Sequence, residues 1–525
     1  MAEEQEQHHA VDEKTHRAGD NRAPHAVDGR AHERPEDVAG KKRLAGNGRP
    51  TGHAERVTRM GTEPVGRLIA EFAVPSVVGM VVNGSYNLVD SIFLGHAVGE
   101  VGLSAVTVAN PIMIVFMALA MLVGNGGNAL AALRLGEGKR EQAERALGNV
   151  IALSVVLWVL VAAAAACPPL MEGLLSASSA TDEVRPYART FIQILCFGFI
   201  LQSIGMGVNN FIRTCGSPNT ALGTMVIGLV AATGFNYWFV ILNGWGVAGS
   251  AFATLAGQAC SAVAVLSYFF FAKDVPLRIH MRYLAPRWRI VGTILAYGFP
   301  SFAVQAGMAV VNFVLNFQLV KYGALSVIGT TDALASIGVV NRIGMFSVMP
   351  LVGISIALQP LLGFNYGARK IARVRKTLGL GIAVATVFSV VEWLVIMLFP
   401  QAIAGAFGIK DDALVAFTAF ALRVQFAVLP FVGFQIIGAN YFQATGQPAK
   451  SIFLTLTRQI LFLVPLLFIM PHVLPAIAPS FDGLDALYFA TPVSDFLSVF
   501  TVLIFIIWEL RRLRRLQNTD LAAHH

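Results

Sequence analysis

Three polar side chains stand inside the apolar run VVNGSYNLVDSIFLG, residues 81–95: Asn83, Asn87 and Asp90. Spacings of four and then three residues put them on one face of an α-helix. An ionised carboxylate in hydrocarbon costs ~2.5–3.5 kcal/mol or more on insertion scales, so Asp90 reads as a functional group or as a helix–helix hydrogen-bond anchor. The chemistry such a group offers is reversible cation binding. Uptake of H+ or Na+ neutralises a charge held in low dielectric and changes how its helix prefers to pack. Other ionisable groups inside apolar stretches are Arg342, Glu392, Arg458 and Asp495. Arg342 and Glu392 fall at similar depths, which fits either a salt bridge or separate roles facing a cavity. Arg458 and Asp495 make a geometrically stretched pair. Such pairs are more often structural than catalytic.

Other kinds of chemistry lack their residues. Cys167, Cys196, Cys215 and Cys260 have no CxxC spacing and read as small buried hydrophobes. Outside the tails the histidines are His96, His280 and His472, with no HExxH among them. Neither a metal site nor a nucleophile with its base is expected, so the chain does not read as an enzyme and needs no cofactor. The segment GNGGNALAALRLGEG, residues 124–138, is rich in glycine, but no GKS or GKT follows and no strand precedes it. Direct ATP use and an ATPase subunit are therefore not expected. The net charge of +8 does not point to nucleic acid, because the basic residues are spread over joints between apolar stretches.

The elements that must carry these residues follow from hydropathy. The chain has 525 residues, 55% hydrophobic and 13% charged, with mean hydropathy +0.63; soluble domains are nearer ~25% charged. Residues 1–62 lack aliphatic runs and are expected to be a disordered tail. Beyond them lie about twelve segments long enough to cross a bilayer, near 67–94, 103–132, 146–168, 186–212, 219–242, 247–272, 290–320, 332–364, 377–400, 414–442, 451–470 and 484–509. Basic residues crowd alternate joints: Arg134, Lys139, Arg140 and Arg145; Arg278, Arg282, Arg287 and Arg289; Arg369, Lys370, Arg373 and Arg375. All fall on one side, which predicts that both termini are cytoplasmic.

The sequence also repeats itself. NFIRTCGSPN (210–219) matches NYFQATGQPA (440–449), Asn110 matches Asn341, Asn128 matches Gln359, Gly136 matches Gly367, and Pro75-Ser76 matches Pro300-Ser301. An even number of spans per half gives both halves one topology, related by an axis along the membrane normal, with the transport path between them. The expected fold is an all-α membrane protein of twelve transmembrane helices in two six-helix lobes, residues 63–275 and 290–510. A cytoplasmic linker, 276–289, joins them and a basic tail, 511–525, ends the chain. Counted from the paired prolines, Asn87 matches Asn312 but Asp90 matches Leu315, so the carboxylate belongs to one lobe only. Pro75, about four turns before it, is a candidate bend point.

MGTEPVGRLIAEFAVPSVVGMVVNGSYNLVDSIFLGH, NNFIRTCGSP, QPLLGFNYGA, NYFQATGQP, RQILFLVP and PVSDFLS resemble the multidrug and toxic compound extrusion (MATE) transporters. The likeness covers roughly residues 60–512, with motifs in both halves. It implies two lobes around a V-shaped cavity and export of cationic, amphipathic drugs in exchange for H+ or Na+ by alternating access. It implies a monomer in the bacterial cytoplasmic membrane. It places the first-span acid on Asp90 and its partners on Asn236 and Thr254. Asn83 and Asn87 complete the expected cation-coupling set, and Gln305, Asn312, Arg342, Gln359, Asn365, Glu392, Arg458 and Asp495 are the candidates for the substrate cavity. The chain departs from the family at Val240, where many relatives have aspartate. Span 7 offers Gln305 rather than glutamate, and Val432 stands near an expected acid in span 10. These departures favour H+ over Na+. A second reading is export of a lipid-linked or endogenous metabolite, which calls for a basic cavity; Arg342 and Arg458 are its candidates.

Overall fold

Long apolar runs leave a chain one open way to satisfy its backbone in a bilayer, the α-helix. The computed structural model describes residues 52–98, 100–177, 182–272, 275–326, 329–407 and 411–522, and all regular structure among them is helical. The first half contains α1 (Gly52–Thr62), α2 (Val65–Ala97), α3 (Glu100–Gly136), α4 (Arg140–Ala166), α5 (Pro168–Ala177), α6 (Arg185–Thr214), α7 (Pro218–Leu242) and α8 (Gly246–Phe271). The second contains α9 (Trp288–Gly323), α10 (Thr330–Gly367), α11 (Ile371–Leu398), α12 (Pro400–Ala406), α13 (Asp412–Gln425), α14 (Leu429–Ala444), α15 (Pro448–Ile477) and α16 (Gly483–Ala522). Among the described residues 11 helices are individually long and apolar enough to cross a membrane, and α13 with α14, meeting at 45°, make a twelfth span. Pro430 explains that break: it has no N–H to continue the ladder, and its ring crowds the preceding turn. The short helices α5 and α12 were not anticipated. Both start at a proline directly after the third span of their half, at Pro168 and Pro400.

The repeat shows in the packing. Across the two halves α2 lies on α10 and α9 lies on α3, so exchanging the halves exchanges the contacts. Glycines let these backbones touch. A methyl on Gly353 of α10 would lie 2.7 Å from Val77 Cα, and one on Gly298 of α9 would lie 2.6 Å from the Leu122 carbonyl carbon. Repeat-matched residues also meet each other, which happens only beside the symmetry axis. Asn128 Nδ2 donates to Gln359 Oε1 at 2.9 Å, and a methyl on Gly136 would lie 2.9 Å from the Phe364 carbonyl carbon of α10, within one turn of Gly367. The axis therefore runs between α3 and α10, and the halves close on each other at the end bearing Arg134, Lys139, Arg369 and Lys370. At the opposite end of the same two helices Asn110 and Asn341 are both exposed. Among the described residues this matched pair makes no bond like that of Asn128 and Gln359, so it does not tie the halves there.

Two boundaries differ from expectation. Residues 52–62 are helical rather than part of a disordered tail, while residues 1–51 lie outside the described residues. Helix α1 is held by its last carbonyls: Asn365 Nδ2 donates to Met60 O at 3.0 Å, Lys370 Nζ to Gly61 O at 2.9 Å and Arg373 Nη2 to Glu63 O at 2.6 Å. These donors satisfy groups that a helix C-terminus leaves open and place cations at its negative end. The adjoining Glu63 carboxyl is held below the usual carboxylate range by its hydrogen bond from Arg59. The second difference lies in α2. Its first turns, with Val65, Leu68, Ile69 and Phe72, are buried in the apolar core of the second half. Leu94, beyond Pro75, packs in a core of the first half. Helix α2 thus straddles the halves; residues beyond Pro75, including Val77 and Gly84, still meet α10 before Leu94 enters the first-half core. The linker is also anchored: Tyr283 is buried, and Arg287 N donates to Asn149 Oδ1 of α4 at 2.8 Å. Of the cysteines, Cys196 and Cys215 are buried as expected, whereas Cys167 is exposed between α4 and α5.

Candidate functional site

Asp90 stands near the C-terminal end of α2, with a side chain only 6% exposed. Its two oxygens are shared between two other helices of the first half. Asn236 Nδ2 of α7 donates to Oδ1 at 2.9 Å, and Thr254 Oγ1 of α8 donates to Oδ2 at 2.7 Å. Ser250, one turn before Thr254, is fully buried beside them, with no hydrogen-bond partner for its hydroxyl among the described residues. Asn236 is fully buried; its Nδ2 also reaches Ala232 O at 3.1 Å, and its Oδ1 has no partner among the described residues. Tyr86 lies one turn below Asp90, against Gly228 of α7.

Local sequence explains how the three helices converge. Helix α7 ends in a wide, π-helical turn over Tyr237–Leu242, directly after Asn236. Such a turn carries an extra residue and is frequent at functional sites. Small residues let α8 approach: a methyl on Gly257 would lie 2.7 Å from Gly228 O of α7. The cluster therefore combines one acid with neutral donors, and no ion pair among the described residues reaches Asp90. Neutral donors stabilise a carboxylate without supplying charge, so the site can take up a small cation. The spare oxygens of Asn236, Thr254 and Ser250 are the groups that would share it.

The remaining candidates scatter. Asn83 is half-buried, with no hydrogen bond to this cluster among the described residues, and the side chain of Asn87 lies outside them. In the second half the equivalent position, Leu315, is buried in an apolar core, so no matching acid site exists there. Gln305 is half-buried on α9, and Asn312 and Arg342 are exposed. Gln359 and Asn365 are not available to line a cavity in this conformation. Gln359 is tied to Asn128 at the axis, and Asn365 is tied to Met60 O and to Arg373 Nε, the latter at 3.2 Å. The alternative of an Arg342–Glu392 salt bridge is not realised: Arg342 is exposed, while Glu392 is half-buried with Oε2 unpartnered among the described residues. Conversely, the pair expected to be stretched does form. Arg458 Nε donates to Asp495 Oδ1 at 2.7 Å, and Ser494 Oγ donates to Arg458 O at 2.8 Å. Arg458 stands at the start of a π-helical turn over Thr457–Leu463. This partnership makes the two residues a brace between α15 and α16 rather than free lining groups.

Sequence reasoning missed Ser250, although its spacing of four from Thr254 puts it on the same face. It also missed a chain of buried amides at the axis. Asn210 Nδ2 donates to Asn125 Oδ1 at 2.8 Å, Asn125 Nδ2 to Ser301 Oγ at 3.0 Å, and Gln443 Nε2 to Ser301 Oγ at 3.0 Å. Part of the signal was present in the matched motifs at 210–219 and 440–449, which hold Asn210 and Gln443; Asn125 and Ser301 lie outside them.

Comparison with known proteins agrees with this architecture. The MatE family profile matches residues 75–238 and 300–469, the first five spans of each half. The multidrug export protein MepA of Staphylococcus haemolyticus is 23% identical over 449 residues, covering 85% of this chain and 94% of the relative. MepA of Staphylococcus aureus is 22% identical over 411 residues, covering 78% of this chain and 87% of the relative. Among solved structures, an outward-facing multidrug resistance MATE family transporter superposes with a TM-score of 0.78 at 24% identity, covering 88% of this chain and 98% of its own. A MATE in the bent conformation gives 0.79, also at 24% identity, over 89% and 99%. With twelve spans in two matched halves and both halves matched by the profile, this chain belongs to the MatE family and is a multi-pass membrane transporter of the MATE type, not an enzyme.

Proposed function

We propose that the protein is a secondary active antiporter that exports amphipathic cations in exchange for H+ or Na+, with Asp90 as the coupling group. The observation that carries this reading is a buried carboxylate held, among the described residues, by neutral donors, in one half of a molecule whose other half has leucine there. Cation entry neutralises Asp90 and loosens its charge-assisted bonds to Asn236 and Thr254, which changes how the end of α2 packs on α7 and α8. Because the start of α2 is rooted in the second half, that change acts on both halves at once, with Pro75 as the bend. An inward cation contributes roughly 2.3 kcal/mol per 100 mV of membrane potential, enough to bias a two-state rocking equilibrium by tens of fold.

Drug export is supported by the names of the MepA relatives. A preference for amphipathic cations fits the half-buried Glu392 and the exposed Met308, Met345 and Phe346 on α9 and α10. The positive-inside rule puts the closed, basic end in the bacterial cytoplasm with both termini, so the end bearing the exposed Asn110 and Asn341 faces outward. In this reading the transporter works as a monomer without an ATPase subunit. The test is reconstitution into proteoliposomes, with ΔpH and ΔNa+ imposed separately while efflux of ethidium is followed. Efflux driven by one of the two gradients is expected. Efflux indifferent to both would overturn the antiport reading.

A further inference from the structure

Arg213, in the last turn of α6, is 4% exposed and has no carboxylate partner among the described residues. Its Nη1 donates to Asn209 Oδ1 at 2.9 Å and to Asn210 Oδ1 at 2.6 Å, both neutral. Its Nη2 meets only the thioether of Met225, at 3.6 Å, and its Nε has no partner among the described residues. A guanidinium stays charged, and a buried charge answered only by amide oxygens is costly. Nε and Nη2 form the side-on edge of the guanidinium, the edge that grips a carboxylate with two parallel bonds. Arg213 lines a partly open, water-sized cavity of about 20 Å³, walled mainly by helices of the first half, together with Asn125 and four methionines: Met80, Met121, Met206 and Met225. Methionines deform easily, so Met225 can swing off the edge it covers.

We infer that Arg213 is the anion-recognising end of a second binding site, separate from the Asp90 cluster, that takes one monovalent anionic group. The group is either a free small anion, which suits the water-sized space, or the carboxylate of an amphipathic substrate, whose apolar body enters as the methionines move aside. The amides already have their roles: Asn209 Nδ2 donates to Ala221 O and Thr224 Oγ1, and Asn210 Nδ2 to Asn125. They hold the guanidinium still and leave its second edge to the ligand. The site joins helices of both halves, since α10 contributes Ile356 to the same wall, so occupancy bears on how they close.

The test has a binding arm and a transport arm, and only the transport arm rests on the efflux reading above. In the first, purified protein is titrated with benzoate and with chloride at constant ionic strength, replacing sulfate, and thermal unfolding is followed. A saturable rise in Tm is expected. Loss of the fork weakens half-saturation by about tenfold in Arg213→Lys, and the saturable rise is absent in Arg213→Gln. In the second arm, proteoliposome efflux of rhodamine B, which has a carboxylate, is compared with that of rhodamine 6G, its esterified cationic counterpart. If the group belongs to the substrate, Arg213→Gln lowers rhodamine B efflux about tenfold more than rhodamine 6G efflux. If it is a free anion, the dyes fall in parallel while anion stabilisation is lost. No saturable stabilisation in the wild type, with parallel loss of both dyes, would make Arg213 a structural anchor and overturn the proposal. If Arg213→Gln does not fold, Arg213→Lys carries both comparisons. A wild type that moves neither dye defeats the efflux reading and leaves the binding arm to decide.

Discussion

Replacing Asp90 with asparagine separates coupling from folding. The introduced side chain has nearly the same shape. Its carbonyl can still accept from Asn236 Nδ2, now at 2.9 Å from Asp90, and its NH₂ can donate to the Thr254 hydroxyl, which both donates and accepts. Two hydrogen bonds therefore survive, but each drops from the charge-assisted range, ~1.5–3 kcal/mol, to the neutral range, ~0.5–1.5 kcal/mol. The loss of about 2 kcal/mol is offset by no longer burying a charge. Stability should thus stay within about 2 kcal/mol of wild type. Coupling should vanish: an ion that no longer binds forfeits ~2.3 kcal/mol per charge at 100 mV, a bias of roughly 50-fold. The assay is ethidium efflux from proteoliposomes under imposed ΔpH or ΔNa+, beside thermal unfolding of the same preparations. The expected result is a folded protein whose efflux ignores both gradients. Gradient-driven efflux of wild-type magnitude in Asp90→Asn would refute the assignment of this carboxylate.

Three further perturbations probe the neighbourhood and the frame. Thr254→Val removes the donor 2.7 Å from Asp90 Oδ2; the ion concentration for half-maximal efflux should shift by up to about tenfold, and Thr254→Ser should restore it. Gly298→Ala drives a methyl into the Leu122 backbone where α9 crosses α3; it should cost about 1–3 kcal/mol in thermal unfolding, whereas Gly292→Ala, with open space at its Cβ, should be neutral or mildly stabilising. Arg458→Met strands the buried Asp495; the cost approaches ~3–5 kcal/mol for a fully buried pair and less here because Arg458 is partly exposed. Adding Asp495→Leu should recover most of that stability, and failure to recover would remove the brace assignment.

The residues that were legible in the sequence share one property: their meaning is local. The face carrying Asn83 and Asp90, the basic joints and the matched motifs are all readable from spacing along one helix or from one half laid on the other. The repeat even foretold contacts that were not sought, since Asn128 and Gln359, paired by alignment, prove to touch. What stayed hidden depends on rotation and offset between helices. Arg458 was expected to reach Asp495 only with strain, because depth was counted at a regular α-helical rise. The rotation of α15 against α16, which spacing along one helix does not reveal, makes the bond. For Arg342 and Glu392 the sequence left a salt bridge and separate roles both open, because similar depth says nothing about whether two side chains face each other.

By itself, the sequence determined that this chain lies in a membrane as two matched sets of six helices, because hydrocarbon admits little except helices and because repetition survives in the motifs. It also determined that one half carries an acid the other lacks. The family resemblance already pointed to Asn236 and Thr254 as partners of that acid, but only the tertiary structure supplied the contacts, across 146 and 164 positions of chain, and added Ser250 beside them. It alone rooted α2 in both halves and left Arg213 buried without an anion among the described residues. The physical reason is that hydropathy acts on each segment separately, whereas a hydrogen bond or an uncompensated charge exists only between segments once their rotations are fixed.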